Sequence, residues 1–125
     1  MRSKLVLVLA AILLFISAPI FAQDVPVVRI LVVETDNPAA YVKEVQETGL
    51  VHMKRLGLRG NIRMWKAKFA GRDAGSMIVS IEYPSLIALA EDDRKTAADP
   101  AMRAWIRDLD KIRKIVSDSL YTEAK

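Results

Sequence analysis

Three segments of the chain have the residue pattern of β-strands. Residues 27–34 are mostly β-branched and aliphatic, and Pro26 stands where the start of a strand tolerates proline. Residues 61–69 and 76–83 alternate in polarity with the two-residue period of a strand. The connection between them, 70–75, holds two glycines and predicts a hairpin turn.

Two further regions have the three- and four-residue apolar spacing of amphipathic helices. The first is predicted to begin at Pro38, after a polar N-cap, and to end before Gly57. The second begins at Leu86 and is predicted to break once, because Asp99 and Pro100 form a new N-cap and first-turn pair.

Residues 115–123 are predicted to form a closing strand. A helix competes with this assignment, because Val116 and Leu120 are four residues apart. The serine, aspartate and threonine residues between and after them are poor in helix interiors, which favours the strand.

The predicted order is β-α-β-β-α-β, an α+β arrangement. Connection rules make a split β-α-β sandwich the expected architecture, with a four-stranded antiparallel sheet and both helices on one face. At least half of the residues predicted on the other face are apolar or aromatic. Because an exposed apolar face of that size marks an interface or a ligand site, we expect a homodimer through the open sheet face.

The N-terminal residues 1–22 have the three parts of a secretory signal peptide. A basic start precedes the apolar run 5–16, and Ala22 offers a small residue at the expected cleavage point. We therefore predict a signal peptide over 1–22, one exported domain over 23–125, and a periplasmic or secreted location. The alternative is an uncleaved membrane anchor, although the run is short for the roughly 20 residues that a spanning helix needs.

The predicted signal peptide changes the charge of the working protein. The chain carries 19 basic and 15 acidic residues, and Arg2 and Lys4 leave with the signal peptide, so the formal net charge falls from +4 to +2. That charge gives no electrostatic case for nucleic-acid binding. The chain has no cysteine, which excludes a disulfide scaffold, a thiol nucleophile and cysteine-ligated zinc.

His52 is the only histidine, the side-chain type that titrates near neutrality. It is a candidate catalytic base, with Arg63 as a second catalytic candidate, although a lone helical histidine is more often a surface residue. Without a second histidine or a carboxylate pair at ligand spacing, we predict no metal site. Asp92 and Asp93 are adjacent on a predicted helix and point in different directions, so we expect a solvated patch.

Strand alternation suggests a second group of candidates, for ligand binding. Its members share strand faces in pairs: Arg63 with Trp65, Ser80 with Glu82, and Ser119 with Tyr121. If these faces coincide, the sheet presents a polar and aromatic surface able to bind an organic anion or a flat ligand. The alternative is that Trp65 and Tyr121 pack at a dimer interface while Arg63 pairs with Glu82 across strands. The pattern alone does not tell which sheet face carries Trp65.

Residues 27–123 resemble the dimeric α/β-barrel superfamily of ferredoxin-like domains, which includes the antibiotic-biosynthesis monooxygenase-like proteins. The element order and four local features carry the resemblance: the Trp65 strand ending in Ala70-Gly71, the passage from Val79 to Ser85, the Ala98-Asp99-Pro100 break before the Trp105 helix, and the terminal strand with Ser119 and Tyr121.

The resemblance implies a ferredoxin-like homodimer whose two sheets curl into a barrel, with a ligand cavity between the sheet and the helices of each subunit. Members of the superfamily include cofactor-free oxygenases and haem-degrading enzymes. The haem-degrading members use an asparagine, a tryptophan and a histidine at set places, whereas here Asn37 and Asn61 fit caps or turns and His52 stands alone. We therefore expect no cofactor.

Three functions stay open at this point. We favour an exported homodimer that binds a small apolar or aromatic ligand or a partner protein, because the chain is poor in reactive side chains. The alternative is a cofactor-independent, monooxygenase-like enzyme acting on an aromatic substrate, since such chemistry needs little beyond positioning and a base. A purely structural dimer is the third.

Overall fold

The computed structural model describes residues 25–125. The predicted signal peptide lies outside the described residues, so its cleavage and the export of the domain stay predictions. Among residues 25–125, no helix combines the length and the apolar character that crossing a membrane requires.

The sheet has four antiparallel strands in the order β2-β3-β1-β4. The strands are β1 (Val27–Glu34), β2 (Asn61–Lys66), β3 (Met77–Tyr83) and β4 (Lys114–Thr122). This confirms the predicted β-α-β-β-α-β order, the antiparallel sheet and the closing strand.

The first helical layer is α1, which runs through three consecutive segments: Pro38–Glu44, a π-helical turn Val45–Gly49, and Leu50–Arg55. The π-helical turn places Gly49 against the side chain of Trp105. A side chain at Gly49 would bring its Cβ within 2.6 Å of the Trp105 ring, so the glycine is what allows the tryptophan to pack there.

The second helical region is broken as predicted, into α2 (Leu86–Ala98) and α3 (Pro100–Leu109). The Asp99 carboxylate accepts a hydrogen bond from the Met102 N–H at 2.8 Å, and Pro100 is the first residue of α3. The capping residue therefore satisfies an N–H group that a helix start leaves without a partner.

The prediction that β2 extends to Phe69 is wrong. The backbone of Ala67 exchanges hydrogen bonds of 2.9 Å with Ser76 and Gly75, which closes the hairpin at Ala67. Residues 68–75 then form the connection, helped by positive φ angles of 58° at Gly71 and 89° at Gly75. Phe69 is fully exposed and does not share a sheet face with Trp65.

The core lies between the sheet and the helices. Its buried members are Leu31, Val33, Tyr41, Val45, Met77, Val79 and Leu109. The members from β1 and β3 alternate along their strands, so the same face of both strands is packed against the helices. The opposite face of the sheet, which we call the open face, has no helix over it among the described residues.

Asp92 is not part of a solvated patch, and that expectation is wrong. Its side chain is 3% exposed and binds the backbone of the loop after α1. The Arg59 N–H lies 3.0 and 2.9 Å from the two carboxylate oxygens, and the Gly60 N–H donates at 2.8 Å. Asp93, the next residue, is 56% exposed at its side chain, so the two neighbours do point apart.

Replacing Asp92 with alanine should destabilise the domain by about 2 kcal/mol, because the Arg59 and Gly60 N–H groups lose part-buried, charge-assisted hydrogen bonds. Urea unfolding followed by circular dichroism measures this difference. Asp93→Ala is the matched control, with an expected change within about 0.5 kcal/mol for an exposed position. Equal losses from the two variants would contradict a structural role for Asp92.

Candidate functional site

A partly open cavity of about 280 Å³ lies between the helix-facing side of the sheet and the helices. The sheet contributes apolar side chains from β1, β3 and β4, and α3 contributes most of the opposite wall. The apolar lining consists of Leu31, Val45, Met53, Leu58, Ile62, Val79, Ile81, Met102, Trp105, Ile106, Leu109 and Ile115. The wall therefore offers van der Waals contact to an apolar molecule on several sides.

Arg29 lies at one end of the cavity and connects three elements. Its Nε and Nη2 donate to the Asp118 carboxylate of β4 at 2.9 and 2.6 Å, and its Nη1 lies 3.6 Å from the Asp93 carboxylate of α2. The bidentate hydrogen bond to Asp118 raises the pKa of Arg29 and lowers that of Asp118. Both groups are therefore charged at neutral pH.

Tyr83 lies at the same end and is 6% exposed. Burial, with the negative charges of Asp92 and Asp93, raises the pKa of its hydroxyl to about 12. The phenol is therefore neutral at physiological pH and keeps its proton.

The other end of the cavity holds a second ion pair. The Arg113 Nε donates to Asp110 at 3.0 Å, and Arg113 Nη1 donates to the Tyr41 hydroxyl at 3.0 Å. Trp105, on the α3 wall, donates from its ring nitrogen to Glu44 at 2.9 Å. Among residues 25–125, no buried side-chain nitrogen or oxygen lacks a hydrogen-bond partner.

The candidate ligand-binding residues all lie on the open face of the sheet. Strand register places them in three cross-strand rows: Asn61, Glu82, Val28 and Tyr121; Arg63, Ser80, Ile30 and Ser119; Trp65, Ile78, Val32 and Ser117. The strand faces predicted from alternation thus coincide, and Trp65 lies on the open face. The Trp65 ring nitrogen donates to the Ser80 hydroxyl at 2.9 Å.

The alternative pairing of Arg63 with Glu82 is not seen among the described residues. Arg63 is opposite Ser80 and Glu82 is opposite Asn61, two residues further along the ladder. Arg63 and Glu82 are both exposed. Their part in binding a ligand stays a prediction.

His52 lies in a different place from Arg63. Its ring packs 6.0 Å from the Trp105 ring on the helix layer, and Arg55 Nη2 lies 3.1 Å from its Nδ1. His52 is half-buried and is not part of the cavity lining. The structure therefore does not bring the two catalytic candidates together, because the sheet separates them.

No group of three histidine, aspartate or glutamate side chains suited to hold a metal ion occurs within residues 25–125. Three carboxylates around the cavity already accept hydrogen bonds: Asp118 from Arg29, Asp110 from Arg113, and Asp92 from backbone N–H groups. The lining can therefore recognise a ligand by its shape, its hydrogen-bonding groups and its charge.

Several solved structures have the same architecture as this chain. A NIPSNAP family protein of Agrobacterium tumefaciens is 20% identical, with a TM-score of 0.58 over 79% of this chain and 91% of that one. SnoaB, a cofactor-independent oxygenase from Streptomyces nogalater, is 12% identical, with a TM-score of 0.58 over 81% and 95%. A dimeric ferredoxin-like protein from an uncultured marine organism is 14% identical, with a TM-score of 0.55 over 81% and 97%.

The chain has a ferredoxin-like fold. No family model matches the sequence, and no curated protein matches it. At identities of 20% or less, the structural similarity shows the fold and leaves the activity to be argued from the site.

Sequence reasoning missed the charged groups of this ferredoxin-like cavity. Arg29 is the single charged residue inside an otherwise apolar strand segment. This isolated charge is the one feature of the sequence that could have indicated a functional role for Arg29. Its partner Asp118 is 89 residues away in the chain, so no local pattern joins them. The sequence also does not tell which of Asp92 and Asp93 faces the loop after α1 and which faces the cavity mouth.

The Arg55–Asp99 pair beside His52 gives a pH prediction. Two hydrogen bonds from Arg55, at 3.1 and 2.6 Å, and one from the Met102 N–H lower the pKa of Asp99 to about 2, below the roughly 3.9 of an unfolded chain. A carboxylate with a lowered folded-state pKa stabilises the fold above its unfolded pKa. Its contribution should therefore be lost as the pH falls from about 4 to 2.

Asp99→Asn keeps an oxygen for the helix cap and removes the charge. We expect the free energy of unfolding of this variant to fall less between pH 6 and pH 2 than that of the wild type. Arg55→Gln should flatten the profile in the same way, because it removes the other partner. A wild-type acid dependence in both variants, measured by urea unfolding at each pH, would contradict the role of the pair.

Proposed function

We propose that this chain is an exported homodimer that binds a small apolar or aromatic ligand in the cavity of each subunit. The observation that supports a bound ligand is the cavity of about 280 Å³, with its largely apolar wall and its polar groups at two ends. Ligand sites commonly combine an apolar lining with a few placed polar groups. The three-part pattern of residues 1–22 supports export.

The cavity volume limits the ligand. A dry apolar cavity of about 150 Å³ binds benzene. A cavity of about 280 Å³ has room for a larger molecule, such as a two-ring aromatic compound. Aromatic rings of the lining, above all Trp105 on the wall formed by α3, can pack against such a ligand.

The open face and β4 support the dimer. The central row of the face holds Ile30, and its neighbouring rows hold Val28, Val32 and Ile78. Strand β4 is an edge strand that pairs with β1, and its Leu120 is 48% exposed on the helix-facing side. A long exposed edge strand beside an apolar face is a surface that proteins normally cover.

In this dimer, the candidate residues of the open face lie between the subunits. Trp65, Arg63 and Tyr121 are of the types enriched at interfaces, and Trp65 is 49% and Tyr121 54% exposed in the single chain. A ligand held between the two sheets by these residues, with Ser80 and Glu82, is the alternative use of the same face.

A cofactor-independent oxygenase acting on an aromatic substrate is the second candidate. Its support is the fold shared with SnoaB and a largely apolar cavity between the sheet and the helices. The base would have to come from the carboxylates of the lining, since His52 is not part of it. Oxygen uptake with an aromatic substrate separates this candidate from simple binding.

Filling the cavity should abolish ligand binding. Ile106→Trp places a larger side chain on the cavity wall, and we expect it to remove the binding of indole or naphthalene measured by chemical-shift changes of lining residues. Ile87→Trp is the matched control, because Ile87 is 40% exposed on α2 and does not line the cavity. Circular dichroism checks that both variants are folded.

Unchanged probe binding in a folded Ile106→Trp variant would place the ligand elsewhere. Failure of the wild type to bind either probe, with no molecule co-purifying, would favour a purely structural dimer.

A charge in the middle of the open face should separate the subunits. Ile30→Lys places an ammonium group opposite Ser80 and Ser119, and we expect the variant to be monomeric at micromolar concentration while the wild type is dimeric by light scattering. Val51→Lys, at a 63% exposed helix position, should remain dimeric. A wild-type chain that is monomeric in this range would contradict the dimer.

A further inference from the structure

The charges around the cavity do not cancel. Five charged side chains line it: Arg29, Arg113, Asp92, Asp93 and Asp110. The two arginines are each matched by a hydrogen-bonded carboxylate, Arg113 by Asp110 and Arg29 by Asp118. Asp92 and Asp93 remain, so the lining carries more negative charge than positive charge.

These two remaining carboxylates differ in what they can still bind. Asp92 is buried and accepts hydrogen bonds from the Arg59 and Gly60 N–H groups. The nearest cation to Asp93 is Arg29 Nη1 at 3.6 Å, which is longer than a hydrogen bond. Asp93 is 56% exposed and therefore keeps acceptor positions free at the mouth of the cavity.

We propose that the cavity selects a small amphipathic cation, an aryl- or alkylamine, whose ammonium group binds Asp93 while its apolar body lies along the α3 wall. This inference rests on the proposed ligand site and names the class of ligand. Thr96 follows Asp93 by three residues on α2 and also lines the cavity, so its hydroxyl is a second acceptor on the same helix face.

The other lining groups fit a cation better than an anion. Tyr83 and Trp105 contribute aromatic rings, whose faces attract ammonium groups. A carboxylate ligand would find the Nε and Nη2 donors of Arg29 already bound to Asp118, and the third nitrogen, Nη1, lies 3.6 Å from the Asp93 carboxylate. It would also approach the unmatched charges of Asp92 and Asp93.

Three probes of one shape and different charge test the proposal. They are 2-phenylethylamine, its neutral isostere 2-phenylethanol, and the anion 3-phenylpropionate. At low ionic strength and neutral pH, calorimetric titration of the full mature chain should give the amine an affinity about tenfold or more above the alcohol, as a charge-assisted hydrogen bond predicts. The anion should bind more weakly than the alcohol.

Asp93→Asn should bring the amine to the affinity of the alcohol and leave the alcohol unchanged. Asp36→Asn is the control for net charge, because Asp36 is exposed and outside the cavity lining, and it should preserve the preference for the amine. Chemical-shift changes at lining residues locate the bound probe in each case.

The outcomes separate the two proposals. Equal affinities for the three probes, a preference for the anion, or an amine preference that survives Asp93→Asn would overturn the cationic ligand and leave the cavity as a binding site. Absence of binding by all three probes and by indole would overturn the ligand site itself, and this inference with it.

Discussion

A β-sheet has two faces, and the described part of this chain supplies helices for one of them. Strand alternation sends every second side chain to each face, so the helix-covered side receives Leu31, Val33 and Val79 while the open face receives Ile30 and its neighbours. The core, the cavity and the exposed apolar surface all follow from this division. Within residues 25–125 no further layer covers the second face.

The cavity depends on how the helices are fixed over the sheet. Gly49 allows Trp105 to pack against the π-helical turn of α1, and Asp99 both starts α3 and binds Arg55 at the end of α1. Arg113 reaches from the start of β4 to the buried hydroxyl of Tyr41. These polar contacts join elements that are distant in sequence, and they hold the apolar walls apart at a defined spacing.

The element order and the two helix starts could be predicted from sequence because they are local. Asn37 and Asp99 cap their helices through N–H groups three residues away, and strand faces follow from a two-residue period. The end of β2 was misjudged, since the hairpin closes at Ala67 through backbone bonds that no side-chain pattern records. The burial of Asp92 was missed because its partners lie 32 and 33 residues earlier in the chain.

The open face and the cavity are separate in their contacts but share strands. In β3, Val79 lines the cavity and Ser80, the next residue, faces the other side and accepts the Trp65 hydrogen bond. Because the two faces of a sheet share one backbone, a displacement of β3 would move the cavity wall and the open face together. Substitutions on the open face therefore test the proposed dimer without changing the cavity, provided that they leave the backbone of β3 in place. Side chains such as Arg63, on the edge strand β2, meet that condition better than Ser80 does.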